Sequence, residues 1–214
     1  MQRIPPQTPN ELDKLCEMGA SFYNRGYAFG STGNLSIRDG ERIWISPTGR
    51  SLRNLCPEEF AVIDSEGAVL NDKRPSKESP FHLAAYRTAG SRAGAIVHLH
   101  STHSVALSCL RDPIGALLPI TPYFQMRVAP LAVVPYFRPG SPNLGTIVGE
   151  AAKEHNCMLL RNHGMTCFGR TLEEAVDRAE ELEETAKLLF LLRGHDLQLL
   201  TWQQIEEIRQ VFGS

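Results

Sequence analysis

Ala95-Ile-Val-His-Leu-His-Ser-Thr-His103 is the stretch that sets the reading of the whole chain. An apolar run ending in His-x-His has the form of a buried strand that delivers two imidazoles to its mouth, because alternate strand residues face the same side. His98 and His100 are therefore expected to share one pocket. Two histidines at this spacing also occur as half-buried residues, each bonded to a carbonyl. The choice between the two readings comes from the rest of the chain.

Outward on the N-terminal side, Arg74-Pro-Ser-Lys-Glu-Ser-Pro-Phe-His82 places a helix start at Ser79-Pro80 and a stop at Gly90. Glu78 precedes that start, where a carboxylate is favoured electrostatically. Further back, Phe60 to Asp64 reads as a strand. Asn34 to Arg38 and Arg42 to Ser46 read as hairpin arms around Asp39-Gly40. The turn Pro47-Thr48-Gly49 follows the second arm and can present N–H groups to an anion, or simply connect. Thr8 opens a capping box for a first helix that ends near Gly26.

On the C-terminal side, Ser101 to Leu110 reads as a helix, and Leu117 to Phe124 as a proline-rich loop carrying Tyr123. Leu131 to Phe137 contains a short strand, and a helix runs from about Asn143 to His155. Met158 to Phe168 reads as two strands broken at Asn162-His163-Gly164. A second capping box at Thr171 begins a helix that Gly194 ends, with Glu180 to Glu184 as its solvated side. A terminal helix spans Trp202 to Phe212. Strands and helices so interspersed predict an α/β fold: one domain over 1–214, a three-layer sandwich with a mainly antiparallel or mixed central sheet flanked by helices.

The composition narrows the class of partner. With 214 residues, 42% hydrophobic and 21% charged, the chain can bury a substantial core. A net charge of -2 and the lack of a basic cluster interleaved with aromatics give no nucleic-acid surface. The five cysteines are scattered and never form Cys-x-x-Cys, which suits a reducing cytoplasm. The N-terminus lacks the apolar core of a signal peptide, and no segment reaches the roughly 18 apolar residues of a membrane span. A soluble, cytoplasmic protein is the expectation.

Three separated pieces then suggest one site: His98 with His100, His163 at a strand break, and Glu78 at a helix start. Three neutral imidazoles form a divalent-metal triad, and zinc accepts nitrogen ligands while keeping an open position. His82, His103, His155 and His195 are rival donors. His103 is left outside the ligand set because a helix-surface position or a core hydrogen bond explains it as well.

Gly33-Asn34-Leu35-Ser36, Ser46-Pro-Thr-Gly49, Ser76-Lys-Glu78, His98-Leu-His100 and Asn162-His163-Gly164, in this order, resemble the class II aldolase/adducin family over nearly the whole chain. The resemblance implies one divalent ion, Zn2+ or another metal, held by His98, His100 and His163. It gives Glu78 the part of a further ligand or a proton-transferring base. It also implies substrate-phosphate contacts at Asn34, Thr48, Gly49, Ser76 and Lys77, and a proton-donating Tyr123 that reaches into a neighbouring subunit of a homotetramer.

Ser76-Lys77-Glu78 departs from the Ser-Ser-Glu of fuculose-phosphate aldolases. Together with Pro135-Tyr-Phe-Arg-Pro-Gly140 it is more similar to the 3-oxo-tetronate 4-phosphate decarboxylases. The implied reaction is metal-dependent loss of CO2 from a phosphorylated sugar acid through a zinc-stabilised enediolate, giving dihydroxyacetone phosphate. Glu78 can manage the proton there if its surroundings raise its pKa. Lys77 and Arg138 are candidates to neutralise the carboxylate or phosphate, and equally plain surface charges. Rival activities in the same superfamily are a sugar-phosphate aldolase, a 4-epimerase and a methylthioribulose-phosphate dehydratase, and outside enzymes an adducin-like interaction protein.

Overall fold

The computed structural model describes residues 9–212. In chain order its principal elements are α1 (Pro9–Asn24), β1 (Asn34–Asp39), β2 (Arg42–Ile45), β3 (Ala61–Asp64), α2 (Ser79–Ala89), β4 (Ala95–Leu99), α3 (Thr102–Ser108), α4 (Pro113–Ala116), α5 (Pro122–Arg127), β5 (Leu131–Val134), α6 (Pro142–Ala151), β6 (Cys157–Leu160), β7 (Gly164–Gly169), α7 (Leu172–Leu191) and α8 (Trp202–Phe212). The strands form one seven-stranded sheet in the order β3-β2-β1-β4-β7-β6-β5. Every neighbouring pair is antiparallel except β5 with β6, which is parallel. The expected mixed sheet flanked by helices is therefore present.

Strand alternation divides the core in two. From β4, Ala95, Val97 and Leu99 face the layer that holds Phe22 of α1 and Leu182 of α7, while Ile96 faces the opposite layer with Phe81 of α2 and Val148 of α6. His98 follows Ile96 by two positions and lies on the α2 side, its ring edge-on to Phe81 at 5.2 Å. Each fully buried Val, Leu or Ile contributes about 1.5–3 kcal/mol, so this placement is strongly held. Moving His98 to the other face would turn every apolar neighbour on β4 outward from its own layer.

Several expected boundaries need adjustment. Thr8 lies outside the described residues, while α1 begins at Pro9. Leu117 to Phe124 is not loop throughout: Pro122 begins α5, because proline suits the first turn of a helix, and Tyr123 sits on that helix. The short α4 went unread. At the head of α7 the Thr171 hydroxyl accepts from the Glu174 N–H at 3.2 Å, whereas the Glu174 carboxylate accepts from the N–H of Arg170, one residue earlier than a capping box requires.

The largest correction concerns Glu183, expected on the solvated side of α7 but only 3% exposed. Its carboxylate accepts from the backbone N–H groups of His103 and Ser104 at 3.0 and 2.8 Å, from the Ser104 hydroxyl at 2.8 Å, and faces His103 Nδ1 at 2.8 Å. A negative group here satisfies N–H donors at the start of α3. Burial raises the Glu183 pKa, but the bonds from the His103 backbone and from Ser104 lower it further, so it is held below the ordinary carboxylate range. Glu183 thus anchors α3, which starts two residues after His100, to α7. His103 is bound by this contact.

Two glycines mark where site-bearing strands touch. A Cβ on Gly164 would sit 2.3 Å from the Leu99 carbonyl oxygen. On Gly33, whose φ is +79°, it would sit 2.9 Å from the His98 carbonyl oxygen. Gly164→Ala is therefore expected to force β7 away from the end of β4. The cost should be about 1–3 kcal/mol, as for other overpacked sites, read in thermal unfolding as a Tm lowered by several degrees; an unchanged Tm would contradict the close approach.

Candidate metal centre

Four side chains from three separate segments converge where β4 ends. His98 is the penultimate residue of the strand, and alternation carried one residue past its end puts His100 beside it, with their Nε2 atoms 3.0 Å apart. His163 arrives from the break between β6 and β7, where Asn162 takes a left-handed φ of 53° to make the turn. Glu78 caps α2 without using its side chain for the cap. Its Oε2 lies 3.2 Å from His98 Nε2 and its Oε1 3.1 Å from His163 Nε2. One donor atom from each of the four residues falls within 4.8 Å of all the others. The rings of His98, His100 and His163 stand nearly perpendicular to one another, with centroids 4.7–5.0 Å apart.

The donor chemistry fits a divalent cation. His98 Nδ1 lies 2.8 Å from the Met165 carbonyl and 3.0 Å from the Thr166 hydroxyl. A carbonyl only accepts, so Nδ1 carries the proton and the Nε2 lone pair points at the cluster. Glu78 Oε1 and His163 Nε2 are buried with no hydrogen-bond partner. Lone pairs and a carboxylate facing one another in a buried space call for a positive charge between them.

Electrostatics differ from expectation at one residue. Burial is the largest influence on Glu78 and raises its pKa. The imidazoles of His98 and His163, set close around the carboxylate, outweigh it and hold the carboxyl well below its ordinary value. The condition set for proton transfer, a raised Glu78 pKa, is not met by these surroundings, because the imidazoles enclose the carboxylate so closely. His100 is pushed down to about 3 by burial and by its two histidine neighbours, so it is neutral and ready to ligate across the physiological range.

The cluster opens into a cleft of about 270 Å³ lined by Asn34, Thr48, Gly49, Ser76, Lys77, Glu78, His100 and His163. All of the expected phosphate-contacting residues thus meet at one opening, and His98 lies buried behind it. Backbone bonds gather the walls: Ser76 N–H donates to the Ser46 carbonyl and Thr48 N–H to the Arg74 carbonyl, each at 3.1 Å. Ser31, Thr32, Gly33, Pro47 and Pro139 also line the cleft. Ser31 and Thr32 carried no sequence signal beyond adjacency to Gly33-Asn34. Lys77 is exposed and makes no ion pair among the described residues. Arg138 is not among the lining residues.

Tyr123 is elsewhere. It is 52% exposed on α5 and borders a separate polar depression with Arg25, Arg127 and Glu180. Within one chain it does not meet the histidines. Sequence reading also passed over the polar groups behind Glu78. Asn34 Nδ2 donates to Glu78 Oε2 at 2.8 Å, and Asn34 Oδ1 lies 2.5 Å from Nε2 of His82, which is fully buried. The four-residue spacing of Glu78, His82 and Tyr86 was the available signal.

Known proteins give this geometry its family. Residues 13–190 match the model described as Class II Aldolase and Adducin N-terminal domain. The chain is a member of the class II aldolase/adducin family. It is 46% identical over 201 residues to the 3-oxo-tetronate 4-phosphate decarboxylase of Haemophilus influenzae, covering 92% of this chain and 95% of that one. It is 37% identical over 184 residues to an L-fuculose phosphate aldolase of Methanococcus maripaludis, covering 86% and 97%. Among solved structures, YgbL of Klebsiella pneumoniae superimposes with a TM-score of 0.89 at 40% identity, covering 94% of this chain and 98% of that one.

One titration can be checked directly. Burial lowers the His82 pKa from 6.5 to about 3. The unfolded chain therefore takes up a proton here below pH 6.5 that the folded chain refuses, and stability falls as pH drops from 6.5 toward 3. The slope attributable to this group approaches about 1.4 kcal/mol per pH unit. Denaturant melts of the metal-free protein at pH 7 and pH 4.5 should show the loss, and His82→Gln should flatten it; parallel losses in both proteins would contradict the assignment.

Proposed function

We propose that this chain is a metal-dependent carboxy-lyase that converts a 3-oxo-tetronate 4-phosphate to dihydroxyacetone phosphate and CO2. The observation that carries the proposal is the convergence of Glu78, His98, His100 and His163 at the base of a cleft whose rim bears an exposed lysine. The relatives named for this decarboxylation, at 46% and 43% identity over 92% of the chain, support the choice of reaction. His98, His100 and His163 are the proposed ligands of one zinc or similar divalent ion, with Glu78 as a further ligand at rest. When bound, that ion would supply a Lewis acid for the negative charge left as CO2 departs.

The chain's own residues supply the rest. Thr48, Gly49 and Ser76 receive the phosphate at the cleft rim, and Asn34 borders the same opening. Lys77, on its exposed stem, meets the substrate's anionic end and draws a charged ligand toward the cleft. Decarboxylation transfers the C1–C2 bonding pair into the C3 carbonyl, and protonation at C2 then yields the hydroxymethyl ketone. Glu78 is the group that relays a solvent proton to C2, since its oxygens reach the cluster and it lines the cleft, and the negative charge of the bound substrate raises it from its low resting value. Tyr123, remote within the chain, is assigned to the cleft of a neighbouring protomer in a homotetramer, where its phenol donates a proton. Cytoplasmic residence is proposed for the same protein; among the described residues no helix is long and apolar enough to cross a membrane.

Purified protein is expected to contain close to one zinc or similar ion per chain, and the double variant His98→Ala with His163→Ala to lose it. Stoichiometric metal in that variant would sink the ligand assignment. Incubation with a 3-oxo-tetronate 4-phosphate should release CO2 and dihydroxyacetone phosphate in equal amounts. Silence there together with cleavage of fuculose 1-phosphate would replace the decarboxylase by an aldolase. Tyr123→Phe should keep its metal and lose turnover by about 10²-fold or more, in the range of a lost general acid.

A further inference from the structure

Behind Glu78 a strand and a helix carry polar groups at matching intervals. On β1, Asn34 and Ser36 project toward α2 from alternate positions, about 6.8 Å apart at 3.4 Å per residue. Along α2, Glu78, His82 and Tyr86 recur every four residues, about 6 Å apart on the axis. The two rows interdigitate. Tyr86 Oη lies 2.8 Å from Ser36 Oγ, Ser36 Oγ 2.7 Å from His82 Nδ1, His82 Nε2 2.5 Å from Asn34 Oδ1, and Asn34 Nδ2 2.8 Å from Glu78 Oε2. Ser36 and His82 have no exposed surface, and Tyr86 and Asn34 have 2% and 4%.

The direction of each bond follows from what each atom is able to do. An ionised carboxylate only accepts, so Asn34 must give it the amide N–H. The Asn34 oxygen then needs a donor, which fixes the proton of His82 on Nε2. Nδ1 is left as an acceptor for the Ser36 hydroxyl, whose lone pair in turn accepts from Tyr86. Burial keeps the row uncharged, holding His82 down near 3 and Tyr86 above the ordinary phenol range. Reversing any one bond would leave a buried group facing its own kind, unsatisfied and cut off from water.

We propose that His82 is a positioning residue: braced by Ser36 and Tyr86, it holds the Asn34 amide so that the Glu78 carboxylate is aimed at the three imidazoles. The assignment rests on Glu78 belonging to the metal and proton-transfer site proposed above. It gives Asn34 an orienting part at the back of the cleft in addition to bordering the substrate. A row that merely filled the core would affect folding and nothing else.

The intact protein provides the test in two parts. Nitrogen NMR of histidine-labelled, metal-free protein should show His82 neutral with its proton on Nε2, and a proton on Nδ1 overturns the proposal. Co2+ titration then compares His82→Leu, which removes the donor to Asn34, with His82→Gln, whose amide nitrogen falls near the place of Nε2. The leucine variant should bind Co2+ on the order of 10–100-fold more weakly, as when a group supporting a metal ligand is removed. The glutamine variant should recover most of that loss, with kcat following affinity and KM within about twofold. Equal losses in the two variants, or losses that simply track their melting temperatures, overturn the proposal. If His82→Leu fails to fold, Tyr86→Phe keeps the ring and removes the far brace; it should weaken Co2+ binding several-fold, and unchanged affinity overturns the proposal. The NMR and Co2+ results stand even if the wild-type chain releases no CO2, which separates failure here from failure of the decarboxylase reading.

Discussion

The register of β4 against β7 is the constraint on which the cleft depends. It sets His98 opposite Thr166 and Leu99 opposite Met165, so that the next residues out, His100 and the His163-Gly164 turn, arrive at the same sheet end. The same pairing supplies the Met165 carbonyl that fixes the proton of His98. A slip by one residue would reverse His98 into the layer beneath α7 and expose its apolar neighbours to the wrong side. The apolar core therefore specifies where Glu78 and the three histidines meet, although no core side chain belongs to that cluster.

A second fit joins the sheet to the helix packed on it. Helix α2 runs along β1 with nearly the same repeat distance, and its N-terminus delivers Glu78 to the strand end where the histidines gather. Two elements with different periods can stay in polar register for only a few steps. The row from Tyr86 to Glu78 uses that short commensurate length and ends at the carboxylate.

Much of this was legible in the chain. The His-x-His spacing, the Ser-Pro helix start and the Asn-His-Gly break each carry a local rule, and their elements formed where those rules placed them. The prolines around Tyr123 argue against a strand and so point to a loop, yet proline is equally suited to a first helical turn, which is its use here. Glu183 was misplaced because a carboxylate within an acidic run has no mark that distinguishes the one facing a neighbouring helix start. Its burial is a tertiary fact, set by how α3 packs on α7. His82 was noticed only as a rival ligand, since the partner strand that gives its spacing meaning lies 46 residues away from it at Ser36. The lowered pKa of Glu78 was likewise out of reach, because it reflects distances among four side chains.

The cleft divides by origin. Its base comes from strand ends and a helix cap, locked into the sheet, whereas its rim is contributed by separate connections around Thr32, Thr48, Lys77 and Pro139. Substitutions on those connections leave the strand pairing untouched. Selection can therefore retune which phosphorylated sugar or acid enters, and which bond is exposed to cleavage, while inheriting the cation cradle whole. A family whose relatives carry both decarboxylase and aldolase names on one framework is the evolutionary outcome that such a division permits.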